Sequence, residues 1–244
     1  MLAIFAAVKQ EIQGVAKQMK IKNTYRHSDF RIFEGTLTGH EVILVATGMG
    51  WQKAVLAGEY AVSKYPISSI LSTGVCGGLD EKSKTGDFLL YNTVINEEDT
   101  STILYPDKRL LAIANMGLSK LGLNHGSGNG LTVKKVCSLP DIKRELGARF
   151  NAVAVDMESY QLAQIATRNN IPFLVVRPVF DSVNENLTVI DNIVGTNDFL
   201  HLKGLAYVLV HPGCVKGLMD YRKRASTLGE NLAEFTSNYV GEIS

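Results

Sequence analysis

The feature that most constrains this chain is a series of short, nearly uninterrupted apolar runs, each followed by a segment of different spacing. LAIFAAV (Leu2 to Val8), SSILSTG (Ser68 to Gly74) and IPFLVVRPVF (Ile171 to Phe180) are examples. Short continuous runs of this kind fit strands covered on both faces. RIFEGTL and EVILVAT, separated by the Thr38-Gly39-His40 turn, read as further strands, as do DFLLYNTV, LTVKKV and NAVAVDM. Helical spacing runs over Glu11 to Met19, Trp51 to Tyr65, Leu110 to Leu121 and Glu158 to Arg168. One more helix is expected where Ser138 can serve as a cap, with Pro140 in the first turn. Strand signals stop after about residue 197, and the remainder reads as helices broken near His211-Pro212-Gly213. The alternation predicts an α/β fold, a three-layer αβα sandwich around a mixed central sheet.

A length of 244 residues, 45% of them hydrophobic, fits one large domain over 1–244, ending in a helical region. The net charge of +1 provides no broad attraction for nucleic acid or an anionic membrane. Three widely spaced cysteines, Cys76, Cys137 and Cys214, do not make a disulfide framework; reduced thiols and a cytoplasmic location are expected. The apolar start lacks the basic lead and long core of a signal peptide. The run Gly204 to Val210 is far short of the ~20 residues that a transmembrane span requires. No histidine pair has metal-ligand spacing, and neither a metal nor a cofactor is expected.

In layered α/β folds, ligands bind beyond the carboxyl ends of the strands. That rule selects the Glu11 region, Gly48-Met49-Gly50, Val75 to Gly78, Met157-Glu158 and Asp181. A carboxylate directly after a buried strand is costly unless it is paired or functional.

AAVKQEI, TGMG, STGVCGGL, VAVDMES and VVRPVFDS stand in the order found in the nucleoside phosphorylase/nucleosidase superfamily, and the chain resembles that superfamily from about Leu2 to Asn184. Within it, the sequence looks like methylthioadenosine/S-adenosylhomocysteine nucleosidases. The VDMES form and the C-terminal region resemble the hopanoid-associated phosphorylases more closely, a group thought to remove adenine from adenosylhopane.

The resemblance implies hydrolysis of the N-glycosidic bond of an adenosine-type nucleoside or conjugate. Such cleavage needs a protonated leaving base, a stabilised sugar cation and a held nucleophile. By the same resemblance Asp181 is the purine-protonating acid, Glu158 the ribose clamp with Met157 beside it, and Glu11 the base that orients water. Val75, Cys76 and Gly77 fall in the loop lining the substrate pocket. Val75 stands where related nucleosidases have serine, which weakens the case for methylthioadenosine. Val136 and Cys137, in VKKVCSLP, align with the segment that lines the purine. A stacking phenylalanine is missing there, which implies weaker stacking or an aromatic supplied from elsewhere, and Lys134 replaces an aspartate. From spacing alone, a loop aspartate, a first-turn glutamate and a solvated helix residue remain ordinary readings of Asp181, Glu158 and Glu11.

Two alternatives stay open: a phosphate-dependent phosphorylase, and a non-catalytic nucleoside-binding or sensor protein on the same fold. Phosphate binding calls for cationic groups, and the matching loops hold none, although Lys9, Arg26 and Arg31 lie close in sequence. Glu11 suits water and would repel phosphate. Apolar residues after Asn197, such as Leu200, Leu205 and Val208, fit ordinary core or dimer packing, or an entrance for a lipid-linked nucleoside. A homodimer is carried over from the related nucleosidases.

Overall fold

The computed structural model describes residues 1–188 and 214–243. Its strands are β1 (Leu2–Ala6), β2 (Lys20–Arg26), β3 (Arg31–Leu37), β4 (His40–Ala46), β5 (Ser69–Thr73), β6 (Cys76–Gly78), β7 (Phe88–Asn96), β8 (His125–Thr132), β9 (Ala152–Asp156) and β10 (Phe173–Asp181). The helices among the described residues are α1 (Lys9–Gln18), α2 (Trp51–Lys64), α3 (Lys108–Lys120), α4 (Pro140–Phe150), α5 (Ser159–Arg168) and α6 (Cys214–Glu242).

The strands form one mixed sheet in the order β2-β3-β4-β1-β5-β10-β6-β9-β8-β7. All nine residues of β10 are buried, and the strand divides its hydrogen bonding among three neighbours. Phe173–Val176 pairs with β5 in parallel. Val176–Pro178 pairs with β7 in antiparallel. Val179 and Asp181 pair with β6, with a register shift between them. The β10–β7 pairing closes β10, β6, β9, β8 and β7 into a ring. Pro178 cannot donate to a ladder, and a bulge directly beyond it re-aims the chain. Asp181, paired with Gly77, is the last residue of the strand beyond that shift.

Alternate residues of the central strands feed two apolar layers, as the pleat requires. Ala3 and Phe5 join Ile43, Val45 and Val175 beneath Ala54, Ala57 and Ala61 of α2 and Leu162 and Ala166 of α5. Leu2 and Ile4 join Leu44, Leu71 and Leu174 beneath α1, α3 and α6, where Leu232, Phe235 and Tyr239 are buried. Helices thus cover both sheet faces, the expected three-layer arrangement. A third cluster, Leu79, Leu131, Val133, Leu146 and Val155, packs α4 against the ring. Burying each large aliphatic or aromatic side chain contributes about 1.5–3 kcal/mol.

Several elements depart from the sequence reading. Only Leu131 and Thr132 of LTVKKV lie in a strand: β8 runs over His125–Thr132 and ends before Val133. HGSGNG is poor in the β-branched residues that mark strands. It pairs nonetheless, because β7 and β9 flank it on either side. Ser138 does not take the cap position of α4, which falls to Leu139 with Pro140 opening the helix. β2 gives no apolar signal, since all seven of its residues are exposed and, among the described residues, β3 is its one strand partner. β6 is only three residues long, inside a segment read as loop. The expected helix break at His211-Pro212-Gly213 and the apolar residues from Leu200 to Leu209 lie outside the described residues, and α6 begins at Cys214. No helix among the described residues is long and apolar enough to cross a membrane.

Candidate active site

A cavity of about 180 Å³ opens where the ends of β1, β5 and β9 meet the bulge of β10. Glu11, Glu158 and Asp181 all line it, although 147 and 23 positions separate them in turn along the chain. Val75, Cys76, Gly77, Val136, Cys137 and Met157 are on its wall as well. The structure therefore brings all nine candidate catalytic and substrate-contacting residues to one site, while Gly48, Gly50 and Gly78 of the strand-end loops do not line it.

Glu11 sits in the first turn of α1 with a relative exposure of 3%. Its Oε2 accepts the N–H groups of Ala7 (3.0 Å) and Val8 (2.9 Å), and its Oε1 accepts that of Val75 (2.8 Å). This carboxylate joins the end of β1 to the loop after β5. Burial raises its pKa; the three N–H groups and nearby Arg177 pull the other way. Gly74 makes the approach possible. Its φ is +125°, and a Cβ there would lie 2.8 Å from Glu11 Oε2.

Glu158 lies where β9 turns into α5. Asp156 Oδ1 accepts the N–H groups of Glu158 (2.9 Å) and Ser159 (2.8 Å), which orients the turn into the helix. Glu158 Oε1 accepts the N–H of Gly50 at 2.8 Å. Burial raises its pKa to about 7, against the pull of Arg177, and neighbouring Asp156 adds to the rise.

Arg177 is the hub of the site and is nearly inaccessible, at 2% exposure. Its Nε donates to Ser159 Oγ at 3.0 Å and its Nη1 to the carbonyl of Val75 at 3.0 Å. Its ion pairs reach Asp156 at 3.3 Å and Glu158 at 3.6 Å. One buried cation thus offsets a group of carboxylates that could not otherwise all stay charged.

Asp181 has 6% exposure and packs over Gly77, where a Cβ would meet its carboxylate at 3.3 Å. Lys143 of α4 pairs with its Oδ2. Burial raises the Asp181 pKa to about 6, and Lys143 opposes the rise. The carboxyl therefore holds a proton far closer to neutrality than an exposed aspartate does.

The rest of the wall is mostly apolar. Phe180 and Tyr221 face the cavity with ring centroids 4.5 Å apart. They supply aromatic surface from β10 and α6, not from the VKKVCSLP segment. Cys76 is buried and its thiol is pushed well up by burial; burial also lifts the Cys137 thiol, to about 11. Neither has thiolate character near neutrality. Lys134 is outside the cavity wall, paired with Glu98 at 2.5 Å and 5.0 Å from the Trp51 ring centroid. Among the described residues, no group of three or more His, Cys, Asp or Glu could hold a metal ion.

Sequence reasoning passed over Arg177, Asp156, Lys143, Phe180 and Tyr221. Arg177 had a usable signal: a lone guanidinium inside an otherwise apolar strand must meet buried negative charge. Asp156 had one too, as a polar residue at a strand-to-helix junction. Lys143 and Tyr221 had none, because nothing local distinguishes a helical lysine or tyrosine that faces inward.

The methylthioadenosine/S-adenosylhomocysteine nucleosidase of Staphylococcus haemolyticus is 25% identical over 199 residues, covering 75% of this chain and 87% of the relative. The same-named protein of Shewanella piezotolerans is 24% identical over 234 residues, covering 89% and 99%. Among solved structures, the nucleosidase of Neisseria meningitidis in complex with methylthio-immucillin-A superimposes with a TM-score of 0.79 at 20% identity, covering 98% of this chain and 97% of that one. Futalosine hydrolase of Helicobacter pylori gives 0.76 at 16% identity, covering 99% and 97%. Residues 1–197 match the family model of the phosphorylase superfamily, and the chain belongs to that superfamily.

Proposed function

We propose that this protein is a purine nucleosidase, hydrolysing the N-glycosidic bond of an adenosine-type nucleoside to release the base. The observation that carries this reading is the convergence of Glu11, Glu158 and Asp181 on one cavity whose inner cation, Arg177, is already engaged. Asp181 donates its proton to N7 of the purine as the bond from C1′ to N9 breaks and its electron pair passes to the base. Glu158 accepts hydrogen bonds from the ribose hydroxyls, and its charge favours the oxocarbenium-like sugar. Met157 packs beside that sugar. Water, held against C1′ by Glu11, adds to the cation and releases a proton to the Glu11 carboxylate.

Water fits better than phosphate for an electrostatic reason. A phosphate dianion at C1′ would stand beside Glu11 and Glu158 and would need free donors. Arg177 spends its donors on Ser159, Val75 and Ser72, and Lys135, the other cation on the wall, is exposed. Val75, Cys76 and Gly77 then form the floor under the sugar. Val136 and Cys137 flank the base, and Phe180 and Tyr221 provide the aromatic surface it needs. The related methylthioadenosine/S-adenosylhomocysteine nucleosidases support an adenosine-type substrate. The mostly apolar wall also suits an apolar 5′ group, of which lipid-linked adenosylhopane is the extreme case. A cytoplasmic homodimer completes the proposal.

The test is release of free adenine from adenosine, methylthioadenosine and detergent-dispersed adenosylhopane, with and without phosphate. Release in phosphate-free buffer, yielding the free sugar, is expected. Strict dependence on phosphate, with a sugar 1-phosphate as product, overturns the hydrolytic reading. Tight binding without turnover makes the protein a sensor.

A further inference from the structure

Lys143 has no accessible surface and sits on α4, which packs against β9. Burying an ammonium group is costly unless its charge and all three N–H donors are matched. Here they are matched by three acceptors: the Oδ2 atom of Asp181, the Ser182 carbonyl at 2.9 Å and the Glu185 carbonyl at 3.0 Å. Two of these belong to the turn that follows β10, so the lysine fastens that turn to α4. Oδ2 of Asp181 is thereby held on the protein side, and Oδ1 accepts no hydrogen bond among the described residues.

We propose that Lys143 is the positioning residue of the acid step: it fixes which oxygen of Asp181 meets the substrate and sets the pH range over which that carboxyl carries its proton. The inference rests on the reading of Asp181 as general acid and goes beyond it. When Asp181 gives up the proton on Oδ1 to N7, the bonding pair from C1′ leaves with the base and a carboxylate remains. That new negative charge already touches the Lys143 ammonium. The contact is stronger in the transition state than before it, which is the condition for accelerating the step.

The other groups facing Asp181 do not supply this charge. Glu185, in the turn after β10, is paired with Arg224 of α6 at 2.6 Å, so the two largely cancel. Tyr221 of α6, Cys76 of β6 and Cys137 before α4 are neutral near pH 7, with burial raising each of them. Lys143 is the cation in direct contact, and it opposes the upward push that burial exerts on Asp181. An opposite charge at this range lowers a carboxyl pKa by about 1–3 units.

The experiment compares the parent protein with K143M, K143R and D181N, measuring kcat and KM for adenine release across pH. In K143M the alkaline limb of kcat moves up by about 1–3 pH units. Its plateau falls about tenfold or more, while KM stays within about threefold. K143R returns the limb toward its original position. With a 4-nitrophenyl riboside, whose leaving group departs without protonation, the K143M loss is much smaller. Should K143M fail to fold, K143Q, which keeps donors for the two carbonyls without charge, takes its place with the same expected shift. An unshifted limb in the uncharged variant, alongside an inactive D181N, overturns the role of Lys143 and leaves Asp181 as the acid. A D181N with parental kcat overturns the acid assignment itself.

Discussion

Glu11→Gln separates a structural from a chemical role at the same residue. The parent carboxylate accepts three N–H groups, two on Oε2 and one on Oε1. A glutamine amide has one acceptor and one donor end. Its best orientation keeps the oxygen on Ala7 and Val8 and turns its NH2 toward the Val75 N–H, which then has no partner. One buried donor left unsatisfied costs about 1–3 kcal/mol. For a chain of this length that lowers the melting temperature by about 2–12 °C. Loss of a general base lowers kcat by about 10²–10⁴-fold, or about 3–5 kcal/mol of barrier. The two effects are read independently, one by thermal melting without substrate, the other by adenine release in phosphate-free buffer at a temperature well below the transition. A variant that melts lower yet keeps kcat within about threefold of the parent would falsify the water-activating role and reduce Glu11 to a brace between β1 and the loop after β5.

Other expectations follow from the same geometry. The pH–rate profile should be a bell: the active form needs Glu158 ionised, with a pKa raised to about 7, and Asp181 protonated, with a pKa raised to about 6, so it is a minority species whose population falls away on either side. The optimum lies between these values, and a profile flat from pH 5 to 9 contradicts the paired roles. Arg177→Met leaves Asp156 and Glu158 without their shared cation, a loss expected to cost about 3–5 kcal/mol and visible in urea unfolding; an unchanged midpoint removes Arg177 from the centre of the site. Gly74→Ala forces a methyl group to 2.8 Å from Glu11 Oε2 at a φ of +125°, a strain of about 1–3 kcal/mol. It should depress kcat along with stability, and parental kinetics would show that Glu11 need not sit where it does.

How far the sequence could be read depended on whether each element carried its own local signal. β1, β5 and β10 were legible because strands buried on both faces are apolar throughout, and no helix of the required length fits those runs. β2 was illegible because an exposed edge strand has no apolar period, and β8 because its glycines and asparagine resemble turn residues until their neighbours pair with them. The positions of Glu11, Glu158 and Asp181 could be chosen from the rule about strand ends together with family resemblance. Their partners were harder, since Lys143 meets Asp181 across 38 positions and Gly50 meets Glu158 across 108. Pairings at such separations arise from the fold as a whole and leave no mark in any short window.

The bonding of β10 has a consequence for the order in which the molecule can be assembled. This strand joins three others, yet it is the last strand of the described residues to leave the ribosome. Until Phe173–Asp181 has emerged, β5, β6 and β7 each lack a partner at the middle of the sheet. A nascent chain stalled near residue 170 would therefore expose unpaired strand edges and could not bring Arg177 or Asp181 to the other carboxylates. Folding and the appearance of the cavity should coincide late in synthesis, as one event.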